Sequence, residues 1–499
     1  MVSWLARADP SVLAVEDGDG ALTYGELHAR ALAGAVALRG ASRVAIALPP
    51  GLDFAVALHA CLLAGAAAVP VDLREPAWRL AGATAVIDAP LPAAASSPPA
   101  AISSPPAISS PPATSSPPAT SSPPAISSPS SAGGAVPPAN GGHRGGGGPA
   151  PRPSSAVATP APTVAAPASA AAAPASAAAA SAPASAAAPA SAAAASAPAA
   201  LSSAADAPAL VVHTSGTTGV PRPIVLTVGN IVHNALGCSV ALGHDRRERW
   251  LCPLPLSHVG GLMVLLRSAI YGTTAVLGPA DRDDVTIASL VPTQLGRLLH
   301  RPPPPSLRVV MLGGAPADPS LLTGARDAGW PVAPTYGLTQ ACSAVTVAEV
   351  GDVETSGRPL PGLSVTIAPD GEIVVEGPTT AGVLHTGDLG RIDERGRLIV
   401  LGRQTDTIVS GGENVMPTEV EAALLAHPAV AEAGVFGRAH ADWGEAVTAH
   451  VVLRVPVEPE ELRAFAAARL ARFKVPKTIE PVASLPRNAS GKLLRRELR

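Results

Sequence analysis

Ala209-Leu210-Val211-Val212-His213-Thr214-Ser215-Gly216-Thr217-Thr218-Gly219-Val220-Pro221-Arg222 is the stretch that decides the fold. The apolar run at 209–212 reads as a buried strand. Thr214, Ser215, Gly216, Thr217, Thr218 and Gly219 then supply four hydroxyls and two glycines, and Arg222 supplies a fixed charge. Glycines let the backbone turn tightly and bring its N–H groups close to an anion. Hydroxyls add neutral donors, so the loop suits a polyphosphate. It is not a GxxxxGK[ST] loop, because no Lys-Ser or Lys-Thr follows the second glycine. A Ser/Thr/Gly-rich surface turn has the same composition, and the rest of the chain has to decide between the two.

Working outward, residues 1–88 alternate strand and helix. Thr23 is a plausible N-cap for a helical pattern opening at Leu22-Thr23-Tyr24-Gly25-Glu26-Leu27. A strand at 44–48 ends in Pro49-Pro50-Gly51, and a helix at 52–66 runs into a strand at 67–71. This β-α-β rhythm argues for a mostly parallel sheet. Phe54 to Val71 carries no formal charge, but His59, Gly65 and Pro70 within it favour a buried helix and strand over a membrane span.

The rhythm stops between about Pro90 and Pro208. Residues 94–129 repeat a hexad of the type Ala-Ile-Ser-Ser-Pro-Pro, 133–150 are glycine-rich, and 155–205 alternate alanine runs with Pro-Ala-Ser. Recurrent proline prevents continuous helix, and the apolar content is nearly all alanine. Such a segment buries too little surface to offset its ordering entropy. The expectation is a disordered insertion at 89–207.

The chain has 499 residues, enough for more than one domain, and a net charge of −3, which gives no nucleic-acid footprint. The four cysteines, Cys61, Cys238, Cys252 and Cys342, are scattered without metal-ligand or CxxC spacing, which favours a reducing, cytoplasmic compartment. The N-terminus lacks a signal-peptide apolar core.

After the loop, Thr227 caps an expected helix at 228–242. Pro253-Leu254-Pro255-Leu256-Ser257-His258-Val259-Gly260-Gly261-Leu262 follows, then a strand at 308–312 ending in Gly313-Gly314-Ala315. Tyr336-Gly337-Leu338-Thr339-Gln340, His385-Thr386-Gly387-Asp388 and Gly402-Arg403-Gln404-Thr405-Asp406 come next. Arg391 to Val400 reads as a hairpin turning at Gly396. Ser410-Gly411-Gly412-Glu413-Asn414 is a glycine turn, and Thr418 with Glu421 reads as a capping box for a helix at 419–426. Ser490-Gly491-Lys492 lies near the end.

In this order, these motifs resemble those of the adenylate-forming superfamily of acyl-CoA synthetases, luciferases and peptide-synthetase adenylation domains. The resemblance covers nearly everything except the insertion. It implies an α/β large N-terminal domain at 1–402, interrupted by the insertion, and a small α+β mobile C-terminal domain at 403–499. It implies that Thr214–Gly219 and Arg222 handle ATP phosphates. The family has lysine where this chain has Arg222, whose planar fork keeps the charge. Gly313, Gly314 and Ala315 would lie near the base, Tyr336 and Gly337 on the adenine, and Thr339 at the α-phosphate. Asp388 would accept from the ribose hydroxyls, and Arg403 would reach ribose or phosphate. Gln340 stands where the family has a Mg²⁺-binding glutamate, and a neutral amide oxygen holds a hard cation more weakly. His258, Gly260, Gly261, Arg267 and Ser343 would line the acid pocket. Ser410, Gly411, Gly412 and Glu413 would lie along the coenzyme A path. Lys492 matches the catalytic lysine, with Thr339 and His258 assisting.

The resemblance therefore implies an acid–CoA ligase using ATP, Mg²⁺, CoA and a small carboxylic acid. Leu262–Gly272, Ile408–Pro417 and the tail from Leu485 point further, to its o-succinylbenzoate-activating subfamily in menaquinone biosynthesis. Two alternatives are a CoA ligase for a fatty or coumarate-like acid and a non-catalytic nucleotide-binding relative. Arg222 and Gln340 motivate the second; intact Lys492, Asp388 and Arg403 speak against it. No carrier-protein segment is expected.

Overall fold

Thr23 starts the first long helix, Tyr24–Ala37, by a reciprocal pair of bonds. Its hydroxyl accepts from Glu26 N at 3.2 Å, and Glu26 Oε2 accepts from Thr23 N at 2.9 Å. Thr227 and Asn230 do the same for Val228–Leu242. Leu52–Ala64 is buried along most of its length and ends at Gly65, whose φ of 77° permits the left-handed cap. These observations come from a computed structural model, which describes residues 4–74, 82–91, 102–103, 204–214, 222–487 and 492–498. All of them belong to one compact unit.

Two large sheets organise the N-terminal part. One has six strands in the order Ile102–Ser103, Ala85–Ile87, Arg43–Ile46, Ala67–Pro70, Pro208–Thr214 and Arg222–Thr227. Its centre is parallel and its two outer pairings are antiparallel. The other has nine strands, with five consecutive parallel pairings that include Arg249–Cys252, Ile287–Leu290, Val309–Leu312 and Val332–Leu338. One buried cluster joins the sheets, with Ile46 and Leu210 from the first, Trp250 and Met311 from the second, and Phe54, Leu58 and Leu266 from helices. Each such large apolar side chain contributes about 1.5–3 kcal/mol on burial. No described helix is long and apolar enough to cross a membrane.

A four-stranded antiparallel sheet follows, ending in Leu384–Ile392 and Leu398–Arg403. Gly396 makes the turn between these two strands at φ 74°. From Ile408 to Ile479 a separate apolar cluster forms around Val430–His440 and Gly444–Leu453, with Val420, Leu424 and Leu462 from its helices.

One expectation needs correction. The capping box at Thr418 and Glu421 does not form. The helix is Pro417–Leu425, with proline in its first turn and Met416 as N-cap without a side-chain bond. Thr418 Oγ1 donates instead to the Leu401 carbonyl, while Glu421 accepts from Val435 N at 2.8 Å and pairs with Arg495. Tertiary partners outbid the local pattern. The insertion at 89–207 lies mostly outside the described residues, but Ile102–Ser103 within it pairs with Ala85–Ile87. The edge backbone groups of that strand thereby gain partners. Ser215–Gly219 of the phosphate loop also lie outside the described residues.

Candidate active site

The C-terminal ends of neighbouring parallel strands carry the first group of site residues, the usual place for ligands in open α/β sheets. Val309–Leu312 runs into Gly313 and Gly314. A Cβ on Gly313 would lie 2.5 Å from Thr335 Oγ1, and Gly314 has φ 80°. The next strand, Val332–Leu338, carries Tyr336 and Gly337. A Cβ on Gly337 would stand 2.0 Å from the Ser343 carbonyl oxygen, so only glycine fits. A short 3-10 turn at Thr339–Ala341 then reverses the chain. It leaves Gln340 exposed, and Cys342 and Ser343 at φ 58° and 92°. Two consecutive left-handed residues that are not glycine are a strained feature of the kind found at ligand sites.

Tyr336 is buried, and its hydroxyl donates to Asp388 Oδ2 at 2.8 Å. The other carboxylate oxygen, Oδ1, lies 2.8 Å from Arg403 Nε. Burial pushes the Tyr336 phenol well above its ordinary range, and the Asp388 charge pushes it the same way. Tyr336 therefore stays a donor. Each Asp388 oxygen keeps a second lone pair, so a vicinal diol still finds acceptors there.

Lys492 comes from the far end of the chain into the field of this pair. Its pKa is lowered, chiefly because surrounding protein removes its ammonium from water and next because Arg403 repels it; Asp388 and Asp406 oppose the shift. The residue as a whole remains exposed, while surrounding protein crowds its ammonium. Its segment is anchored by Arg495, which lies 3.2 Å from Asp406 Oδ2 and donates to Glu421 Oε2 at 2.8 Å. Sequence reading missed Asp406, Glu421 and Arg495 in these roles.

His258 is the N-cap of Val259–Tyr271, and its side chain makes no capping bond. Gly261 packs where a Cβ would be 2.6 Å from Pro255 O, which brings the start of the helix against the 253–257 turn. Two turns on, Arg267 is only 2% exposed. Its Nη2 donates to Asn234 Oδ1 at 2.6 Å, and its guanidinium lies 5.6 Å from the centroid of the Trp250 ring. Among the described residues it forms no salt bridge, and its buried Nε has no hydrogen-bond partner. The same helix touches the Ser343 turn through Met263 Sδ, 3.9 Å from Cys342 Sγ.

Comparison with known protein families matches residues 2–387 to the AMP-binding enzyme family and 419–492 to the AMP-binding enzyme C-terminal domain. This chain is an AMP-binding enzyme. It is 41% identical to the 2-succinylbenzoate–CoA ligase of Bacillus subtilis over 335 residues, 59% of this chain and 69% of that one. Among solved structures it is similar to the o-succinylbenzoate CoA synthetase of Bacillus subtilis bound to its acyl-adenylate intermediate. There the TM-score is 0.72 at 27% identity, over 100% of this chain and 98% of that one. The same enzyme with ATP and a magnesium ion matches at TM-score 0.71 and 28% identity, over 99% of each chain.

In this AMP-binding enzyme, no group of three or more His, Cys, Asp or Glu among the described residues could hold a metal. An Mg²⁺ ion that enters with nucleotide phosphates needs one or two protein oxygens rather than a cage. The exposed Gln340 amide, beside Thr339, offers one. In the C-terminal part, Gly411 and Gly412 turn at φ 63° and 86° between two short strands. They are exposed together with Glu413, whereas Ser410 is 1% exposed and its hydroxyl is buried. Gly411 N donates to Trp443 O at 2.8 Å, and the Trp443 ring covers the glycine. Lys477 Nζ lies 4.5 Å from the centroid of that ring. Thr214 and Arg222, which close the two ends of the phosphate loop, are antiparallel register partners.

Proposed function

We propose that this chain is an ATP-dependent acid–CoA ligase whose acid is 2-succinylbenzoate, acting in menaquinone biosynthesis in the cytoplasm. The observation that carries the reading is the convergence of Lys492, Arg403, Asp388 and Tyr336 at one place, from four separate parts of the chain. This is a site for one nucleotide and one developing negative charge. The activities of these relatives support the same reading, and four buried free cysteines suit a reducing compartment.

Chemistry proceeds in two halves. A carboxylate oxygen of the acid attacks the α-phosphorus of ATP, forming the acyl-adenylate and releasing pyrophosphate. Two anions meet in that step, so a fixed cation helps the transition state more than the ground state. Lys492 supplies it, with Thr339 at the α-phosphate. Asp388 and Tyr336 hold the ribose and base, and Arg403 completes the ribose–phosphate side. Gln340 would offer a weak protein ligand to Mg²⁺ entering with ATP, which would neutralise phosphate charge. In the second half the CoA sulfur attacks the acyl carbonyl and AMP leaves. The domain from 403 onward turns about the Gln404–Asp406 segment between the halves, withdrawing Lys492 and bringing the Gly411–Glu413 turn to the pantetheine.

Arg267 meets the aromatic carboxylate of the acid. A buried guanidinium without a carboxylate partner carries a desolvation cost that an anionic ligand offsets. His258, Gly260, Gly261 and Ser343 line the path to it. Pyrophosphate release measured over a panel of carboxylic acids, with CoA thioester detected in parallel, tests the assignment. The fastest turnover is expected with 2-succinylbenzoate. A clear preference for a fatty or cinnamic acid, or no release with any acid, overturns it.

A further inference from the structure

We propose that Asn234 is a positioning residue for the acid pocket, holding the Arg267 guanidinium ready for the second carboxylate of the acid. The inference rests on the reading of Arg267 given above. Asn234 is fully buried in the Val228–Leu242 helix, on a face otherwise filled by Ile231, Ala235 and Cys238. A polar side chain at such a place needs both ends of its amide satisfied. Its Nδ2 donates to Ala344 O at 2.8 Å, and its Oδ1 accepts from Arg267 Nη2 at 2.6 Å.

These two bonds fix the amide in one orientation. Flipping it would set NH₂ against the guanidinium and carbonyl against carbonyl, both repulsive. Ala344 directly follows Ser343, the left-handed residue of the strained turn. The amide therefore ties the helix that carries Arg267 to the strand that carries Ser343. Trp250, beneath the guanidinium, is itself held by its indole N–H donating to Ser289 Oγ at 3.0 Å.

The neutrality of Asn234 matters as much as its geometry. A carboxylate there would pair with Arg267 and compete with an anionic ligand. An amide accepts one N–H and leaves the full positive charge available. The Arg267 Nε is a buried donor without a partner, which a carboxylate would satisfy. Asn234 thus orients the cation without neutralising it, and it sets the preference for a dicarboxylate over a monocarboxylate.

Steady-state kinetics of the full chain test this with two acids, 2-succinylbenzoate and benzoylpropionate, which is the same acid without its ring carboxylate. The readout is the ratio of their kcat/KM values. Asn234→Asp is expected to lower that ratio about tenfold or more, the scale of one charged hydrogen bond, through a higher KM for the dicarboxylate rather than a lower kcat. Asn234→Ala should lower it about threefold, and it decides the matter alone if the aspartate variant does not fold. Adding Asn234→Ala to Arg267→Met should lower the ratio no further. If Arg267→Met lowers the ratio and neither Asn234 variant does, the role of Asn234 is overturned and that of Arg267 stands. A further drop in the double variant likewise overturns it, because Asn234 would then act without Arg267. An unchanged ratio in Arg267→Met removes both.

Discussion

Arg403 Nε lies 2.8 Å from Asp388 Oδ1, and the two residues are register partners on adjacent antiparallel strands. Strand pairing, not side-chain reach alone, sets this contact. Tyr336 takes the other carboxylate oxygen from a different sheet. One carboxylate therefore ties three elements together, and each of its oxygens keeps a lone pair for a further donor.

Asp388→Asn replaces that acceptor by an amide that offers one oxygen instead of two. Arg403 and Tyr336 cannot both keep their bonds. The KM for ATP is expected to rise tenfold or more, about the value of one charge-assisted hydrogen bond. ATP titrations of pyrophosphate release check this, and an unchanged KM would remove Asp388 from nucleotide binding.

The lowered pKa of Lys492 sets the sign of a pH effect. In the proposed mechanism the ammonium form stabilises the adenylation transition state, so activity needs the proton. As pH rises, the proton is lost earlier than from an ordinary lysine. The rate of adenylate formation should therefore descend on the alkaline side before a free lysine would titrate. Lys492→Arg should move that descent to higher pH in whatever activity it retains, because guanidinium holds its proton. Rapid-quench measurement of adenylate over pH checks both; the same alkaline limb in wild type and variant would assign it to another group.

Gln340→Glu places a carboxylate on the exposed turn beside Thr339. The Mg²⁺ concentration for half-maximal adenylation should fall, because a charged oxygen holds a hard cation better than an amide. A magnesium titration of pyrophosphate release decides it, and an equal or higher requirement would show that Gln340 does not touch the ion.

Gly337→Ala pushes a methyl into the Ser343 carbonyl, 2.0 Å away. Backbone on both sides must shift, at a cost of about 3 kcal/mol. The first unfolding transition in urea should move to lower concentration, and activity should fall with it because the same turn carries Thr339 and Ser343. Wild-type stability in this variant would mean the turn is looser than its geometry implies.

Local signals in the sequence were legible where local bonds decide. Thr23 and Thr227 as caps, the 228–242 helix and the Gly396 hairpin all formed as the pattern implied. Thr418 and Glu421 carry the same kind of pattern and went elsewhere, to Leu401 and Arg495, because those partners arrive only when distant strands pack. The same distance hid Asn234, whose partners lie 33 and 110 residues away. Its only trace in the sequence is a polar residue at a buried helical spacing between Ile231 and Cys238. The pairing of Ile102–Ser103 was hidden by the repeats around it, since two residues of edge strand leave no periodicity.

The central claim is that Lys492 serves adenylate formation and not thioester formation. Single-turnover kinetics of Lys492→Ala, run separately on the two halves, test it most directly. Adenylate formation from acid and ATP should slow a hundredfold or more, roughly the effect of removing one preorganised charge. Thioester formation from presynthesised acyl-adenylate and CoA should stay near the wild-type rate. Equal slowing of both halves, or of neither, would contradict the account.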